Sequence, residues 1–237
     1  MPCIRWASSG RRRMSEARLY LADASALSDE ALFAVLYAKM PAERRAKIDG
    51  YVFPKDRRLC LAAGLLLERC LREAGLERWE LEYGRWGKPR VWGGEGPCFN
   101  LSHSGERVLC ALSGSEVGCD IEQLADFEQE LARRFFTAGE YAHIAARQTE
   151  AERSRAFYRL WTLKESFMKA TGLGMRLALD SFELDLGAAA PALRRSPSAE
   201  AWRFREFDFG GGYLGAVCSL EPAAENAVFV DITDEEA

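Results

Sequence analysis

The sequence predicts an α+β fold in which both halves of the chain combine helices with short hairpins. Three observations carry that expectation. Apolar residues recur at three- and four-residue steps over Asp56 to Glu73 and again over Glu152 to Thr171, which is the stripe of an amphipathic helix. Between these stretches, from Leu81 to Gly118, the pattern shortens to segments cut by Gly and Pro, as strands and turns require. Towards the end, Trp202 to Phe209 and Tyr213 to Leu220 flank Gly210-Gly211-Gly212 and read as a strand pair.

Taken in order, Ser28-Asp29-Glu30 opens a helix carrying Leu32, Phe33, Leu36 and Tyr37, and Met40-Pro41 closes it. The helix over Asp56 to Glu73 ends at Ala74-Gly75. Val108 to Leu112 and Glu116 to Gln123 are strands around Ser113-Gly114-Ser115. Phe127 to Arg147 and Glu152 to Thr171 are helices, the second stopped by Gly172. Gly187 to Ala201, rich in Ala, Pro and Ser, reads as a surface loop. The best break lies near Gly118. It divides the chain into a disordered extension over 1–14, an N-terminal α+β half over 15–117, a C-terminal α+β half over 118–230 and a solvated acidic tail over 231–237.

At 237 residues with 48% hydrophobic and 29% charged, the chain can bury a sizeable core. Its net charge of -4 argues against general nucleic-acid binding, which needs a surplus of Lys and Arg. Seven cysteines without a C-x-x-C pair fit neither a disulfide framework nor a zinc cluster, and point to reduced thiols in the cytoplasm. The longest apolar run, Leu59 to Leu67, is too short for a membrane span, and no apolar region follows Arg11-Arg12-Arg13 to make a secretory signal.

Three segments carry candidate chemistry. In Val117-Gly118-Cys119-Asp120-Ile121-Glu122 a period of two sets Asp120 and Glu122 on one face of a strand. Hard cations such as magnesium take carboxylate oxygens together with substrate phosphates, so the pair suits half a metal site. Alone, D-x-E on the wet face of a strand is far more often exposed charge. In the helix containing Trp161 to Lys169, Trp161, Glu165 and Lys169 share a face. Alone, that reads more readily as an amphipathic helix with an ion pair worth only ~0.3 to 0.5 kcal/mol.

The third segment, Phe99 to Gly105, is a strand end entering a turn, where His103 between Ser102 and Ser104 could donate to a phosphate or be merely structural. Lys88, on the turn Gly87-Lys88-Pro89, could reach a phosphate or face water. No G-x-x-x-x-G-K-[ST] or G-x-S-x-G occurs. Gly210, Gly212 and Gly215 match G-x-G-x-x-G formally, but a strand follows instead of the helix a dinucleotide site needs.

In conjunction the motifs F-N-L-S-H-S-G, V-G-C-D-I-E and F-Y-R-L-W-T-L-K-E-S-F-M-K-A, in that order and spacing, resemble the 4'-phosphopantetheinyl transferases of the Sfp type, from about Arg44 to Met175. The resemblance implies two similar α+β halves with coenzyme A and Mg2+ in the cleft between them. It also implies a monomeric, cytoplasmic transferase that acts on an apo acyl or peptidyl carrier protein, with neither membrane nor nucleic acid as partner. Carried over by motif, Asp120, Glu122 and Glu165 are the metal ligands, and Glu165 or a water it holds also takes the proton of the carrier serine. Lys164 and Lys169 steady the phosphates and the leaving group. Ser102, His103 and Lys88 hold coenzyme A, and Arg44 and Lys47 meet its 3'-phosphate. Where the family has an arginine opening the Leu-rich helix, this chain has Leu59-Cys60, with Arg57 and Arg58 just before, so that Arg58 or Arg57 stands as the substitute. The alternative is a non-catalytic coenzyme A-binding module of the same fold. Its mark would be a lost metal ligand, and all three carboxylates are present.

Overall fold

Residues 14–94, 96–127, 129–187 and 190–234 are described in the computed structural model of the protein. The expected extension therefore lies outside the described residues except for Met14. The elements run β1 (Arg18–Asp23), α1 (Glu30–Lys39), α2 (Ala42–Asp49), α3 (Pro54–Glu73), β2 (Leu81–Tyr83), β3 (Pro89–Val91), β4 (Cys98–Ser104), β5 (Arg107–Ser113) and β6 (Val117–Gln123). They continue with α4 (Gln129–Phe135), α5 (Ala138–Ala145), α6 (Glu150–Thr171), β7 (Glu183–Asp185), β8 (Ala192–Arg195), β9 (Arg203–Gly210), β10 (Tyr213–Ser219) and β11 (Val228–Phe229).

Local chemistry explains the helix ends. Pro54 opens α3, where its missing N–H costs nothing. Thr149 and Glu152 form a reciprocal capping box at the start of α6, and Gly172 ends that helix in the left-handed conformation at φ 70. The single helix expected over Phe127 to Arg147 is two, because a second capping box, Thr137 with Glu140, restarts the chain as α5.

Two sheets are sandwiched between the two long helices. The first has the order β11-β1-β5-β4 and the second β6-β10-β9. Period-two alternation sends Tyr20, Val108, Cys110 and Leu112 against α3 in one core, and Leu19, Leu21, Leu109 and Ala111 to the other face. There they meet Val117, Cys119, Ile121 and Val217 of the second sheet. The far face of that sheet, with Ala216 and Cys218, packs on α6 with Leu160, Leu163 and Phe167. The layers therefore run α3, sheet, sheet, α6.

The chain's end differs from a solvated tail. β11 pairs in parallel with β1, and Val230 and Ile232 are buried in the core under α3, so these apolar side chains return the end of the chain to the first half. Residues 235–237 lie outside the described residues. The surface loop expected over Gly187 to Ala201 contains β8, paired with β7.

Candidate active site

Strand β6 forms one edge of the second sheet and lies beside β4, the edge of the first. Side chains rather than backbone ladders join them. Asn100 Oδ1 accepts from the Cys119 N–H at 2.9 Å, Ser102 Oγ from the Ile121 N–H at 3.4 Å, and Ser104 Oγ from the Gln123 N–H at 3.1 Å. Two of the same hydroxyls donate onward, Ser102 to Asp120 Oδ1 at 2.7 Å and Ser104 to Glu122 Oε2 at 2.7 Å. Polar residues at every second position of β4 thus close the exposed edge of β6 and aim its carboxylates. Asn100 and Ser104 were missed as site residues, although their spacing with Ser102 was visible.

The face of β6 that carries Asp120 and Glu122 is not wet; α6 covers it. Gly118 allows this, since a Cβ there would fall on the Ser166 carbonyl oxygen and the Ala170 amide nitrogen. At this close approach Lys169 Nζ donates to Asp120 Oδ1 at 2.6 Å and to Ser102 Oγ at 3.1 Å. Burial most strongly opposes the Lys169 charge, but the surrounding Asp120, Cys119 and Glu165 hold its pKa above the ordinary lysine value. Glu122 is pushed up to about 7, first by burial and then by the charge of Asp120. Glu165 is also raised, by burial first, with Lys169 opposing and Asp120 adding to the effect. His103, exposed at the end of β4, is lowered by desolvation of its ring and then by the charge of Lys169; Asp56 and Lys47 also act on it. Asp120, Glu122, Glu165, Lys169, Ser102 and His103 therefore share one locus, with Lys47 at its rim.

An ammonium has three N–H donors, and counting them separates the candidate lysines. Lys164 spends all three inside the second core, on the Leu179 carbonyl at 2.7 Å, the Phe182 carbonyl at 2.8 Å and Glu140 Oε2 at 2.8 Å. It is fully buried. Consecutive helix residues point about 100° apart, so Lys164 faces that core while Glu165 faces β6. Lys88 likewise spends its donors, on Glu116 Oε2 at 2.6 Å, the Val117 carbonyl at 3.0 Å and the Ala170 carbonyl at 2.8 Å. The phosphate contacts expected of Lys164 and Lys88 would therefore need donors that protein acceptors already take. Lys169, with two acceptors, keeps a third N–H without a partner among the described residues.

Three arginines of α2 and α3 have neighbours within the first half of the chain. Arg44 passes over Gly64 of α3, its Nε 3.2 Å from where a Cβ would stand. Arg57 is tied to Asp49 at 3.0 Å, whereas Arg58 reaches Glu106, in the turn that follows His103, at 3.7 Å. Both Arg58 Nε and Glu106 Oε2 are buried without a hydrogen-bond partner among the described residues.

Among the described residues no three His, Cys, Asp or Glu side chains stand as a ready cation cage. Magnesium does not require one, because it is commonly held by one or two carboxylates plus substrate phosphates and water. Asp120 Oδ2 is buried and lacks a hydrogen-bond partner among the described residues. This orphaned carboxylate oxygen is a hard donor that, together with substrate phosphates, fits the ion.

A family model described as the 4'-phosphopantetheinyl transferase superfamily matches residues 116–218. A 4'-phosphopantetheinyl transferase of Bacillus subtilis is 31% identical over 191 residues, covering 79% of this chain and 85% of that one. The 4'-phosphopantetheinyl transferase psf-1 of Bacillus pumilus is 34% identical over 190 residues, covering 78% and 81%. Among solved structures, Helicobacter pylori holo-[acyl-carrier-protein] synthase in complex with coenzyme A aligns with a TM-score of 0.35 at 19% identity, over 43% of this chain and 96% of that one.

Proposed function

This chain belongs to the 4'-phosphopantetheinyl transferase family, and on that premise we infer how its buried carboxylates and Lys169 work. The enzyme transfers the 4'-phosphopantetheine arm of coenzyme A to a serine of an apo acyl or peptidyl carrier protein and releases 3',5'-ADP. The serine oxygen forms a bond to the β-phosphorus, and the bond from that phosphorus to the bridging oxygen of the pyrophosphate breaks. Phosphoryl transfer of this kind depends on positioning and charge neutralisation.

Asp120, Glu122 and Glu165 would hold Mg2+, which when bound supplies positive charge against the pyrophosphate. Lys169 gives its remaining N–H to a phosphate oxygen and steadies the departing nucleotide, a charge-assisted bond in a partly buried setting. Glu165, whose pKa burial raises from the ordinary glutamate value, takes the serine proton as a stronger base than an exposed carboxylate. His103 stands at the end of β4 as a second phosphate donor. Lys47 beside it, with Arg44 on the same helix and Arg58 near the following turn, forms the basic side towards the nucleotide.

The observation that carries this reading is the meeting of Lys169 with Asp120 under an orphaned carboxylate oxygen. Release of 3',5'-ADP from coenzyme A, followed by chromatography, tests it. Release should require an apo carrier and vanish when the acceptor serine is alanine. Equal release without any carrier would overturn the transfer.

A further inference from the structure

The turn between β2 and β3 belongs to the first half of the molecule but ends on the second. The Gly84 N–H donates to the Lys88 carbonyl and the Gly87 N–H to the Gly84 carbonyl, each at 2.9 Å, and Gly87 sits at φ 85. From this tight loop one side chain reaches the end of α6 and another the turn that follows it. The Lys88 ammonium joins the Ala170 and Val117 carbonyls and Glu116. The Trp86 ring takes two guanidinium groups, Arg85 at 4.4 Å and Arg176 at 3.9 Å from its centroid, and Arg176 follows α6 in the chain.

The positions of those acceptors matter. Ala170 is the residue after Lys169, and Val117 opens the strand that carries Asp120 three residues later. The last carbonyls of a helix lack intrahelical partners and favour a cation, so α6 offers Lys88 a natural anchor. One ammonium thereby ties the final turn of α6 to the start of β6, at the end nearest the Lys169–Asp120 contact. With Gly118 letting the two backbones touch, a small slip of helix along strand would separate Lys169 from Asp120.

We propose that Lys88 is a positioning residue: it latches α6 to β6, with Trp86 bracing the turn after α6, and sets the spacing of Lys169 and Asp120, and it does not itself grip coenzyme A. The inference rests on the transferase reading above. All three Lys88 donors are spent on protein acceptors, so a phosphate contact would require opening the latch.

The test is Lys88→Met in the full chain, with Mn2+ binding followed by electron paramagnetic resonance, kcat/KM for coenzyme A and dephospho-coenzyme A, and thermal melting. Mn2+ affinity should fall by roughly 10-fold or more, as for groups that orient metal ligands. The ratio of kcat/KM between the two substrates should match that of the wild type. A ratio falling towards one with normal Mn2+ binding would make Lys88 a 3'-phosphate ligand and overturn the proposal. A lower melting temperature with normal Mn2+ affinity and normal kinetics would overturn it too, as a purely structural role. Should Lys88→Met fail to fold, Trp86→Ala carries the same readouts, and normal Mn2+ affinity there would overturn the latch. A wild type that binds Mn2+ but transfers nothing would remove the transferase reading and leave the latch to be judged on Mn2+ affinity alone.

Discussion

Lys169 Nζ lies 2.6 Å from Asp120 Oδ1, a charge pair formed between a helix and a strand whose backbones meet at Gly118. The contact exists because residue 118 is glycine. Gly118→Ala would set a methyl group against main chain that cannot rotate away, unlike a flexible side chain. Overpacking typically costs ~1 to 3 kcal/mol, and here the upper end is expected. Urea denaturation should show that loss together with a fall in transfer rate. An alanine variant with unchanged stability and rate would mean that α6 is free to move off β6.

Glu165→Gln keeps the shape of the side chain and removes its charge. Turnover should drop by at least ~10²-fold, since proton removal and metal binding both use this carboxylate. Circular dichroism should be unchanged. Near-normal turnover at saturating magnesium would take Glu165 out of the chemistry.

Burial and Asp120 raise Glu122 from 4.5 to about 7 in the folded state. The folded protein therefore holds this proton more tightly than the unfolded chain does. Its contribution is greatest while the group is protonated and is lost as pH rises from 4.5 through 7. Glu122→Gln cannot ionise, so without metal it should become more stable than the wild type as pH passes through that window. Below about pH 4.5 the advantage should disappear, because both states are then protonated. Added magnesium should erase the advantage at pH 8 by compensating the wild-type charge. Melting curves of both proteins across pH, with and without chelator, measure this. A wild type at least as stable as Glu122→Gln at pH 8 in chelator would contradict the crowded-carboxylate picture.

Lys164 and Glu140 form a buried pair at 2.8 Å, and burial, the largest influence, lowers the Lys164 pKa. Deleting one partner leaves the other charge uncompensated, at a typical cost of ~3 to 5 kcal/mol. Lys164→Met should therefore lower stability strongly, while the folded fraction keeps its KM for coenzyme A. A raised KM with normal stability would restore Lys164 to the substrate site.

The long elements were legible because their apolar stripes have one buried side. β1 was not, since Leu19, Tyr20, Leu21 and Ala22 are buried on both faces and show no alternation. The break between α4 and α5 was legible in principle, as Thr137 to Glu140 spells a capping box. In the site, period two placed Asp120 and Glu122 together but could not say that a helix covers them. The lysines show the deeper limit. Lys88, Lys164 and Lys169 all sit in the family's motifs, and only their tertiary partners tell which one has a donor to spare.

The most direct measurement is the intact mass of an apo carrier protein after incubation with this enzyme and coenzyme A. With magnesium the carrier should gain one phosphopantetheine arm. The gain should stop in chelator, return when magnesium is restored, and be lost when the acceptor serine is alanine. A protein that binds coenzyme A yet adds no mass to any carrier of a broad panel, with magnesium or manganese present, would contradict the assignment of Asp120, Glu122, Glu165 and Lys169 to phosphoryl transfer.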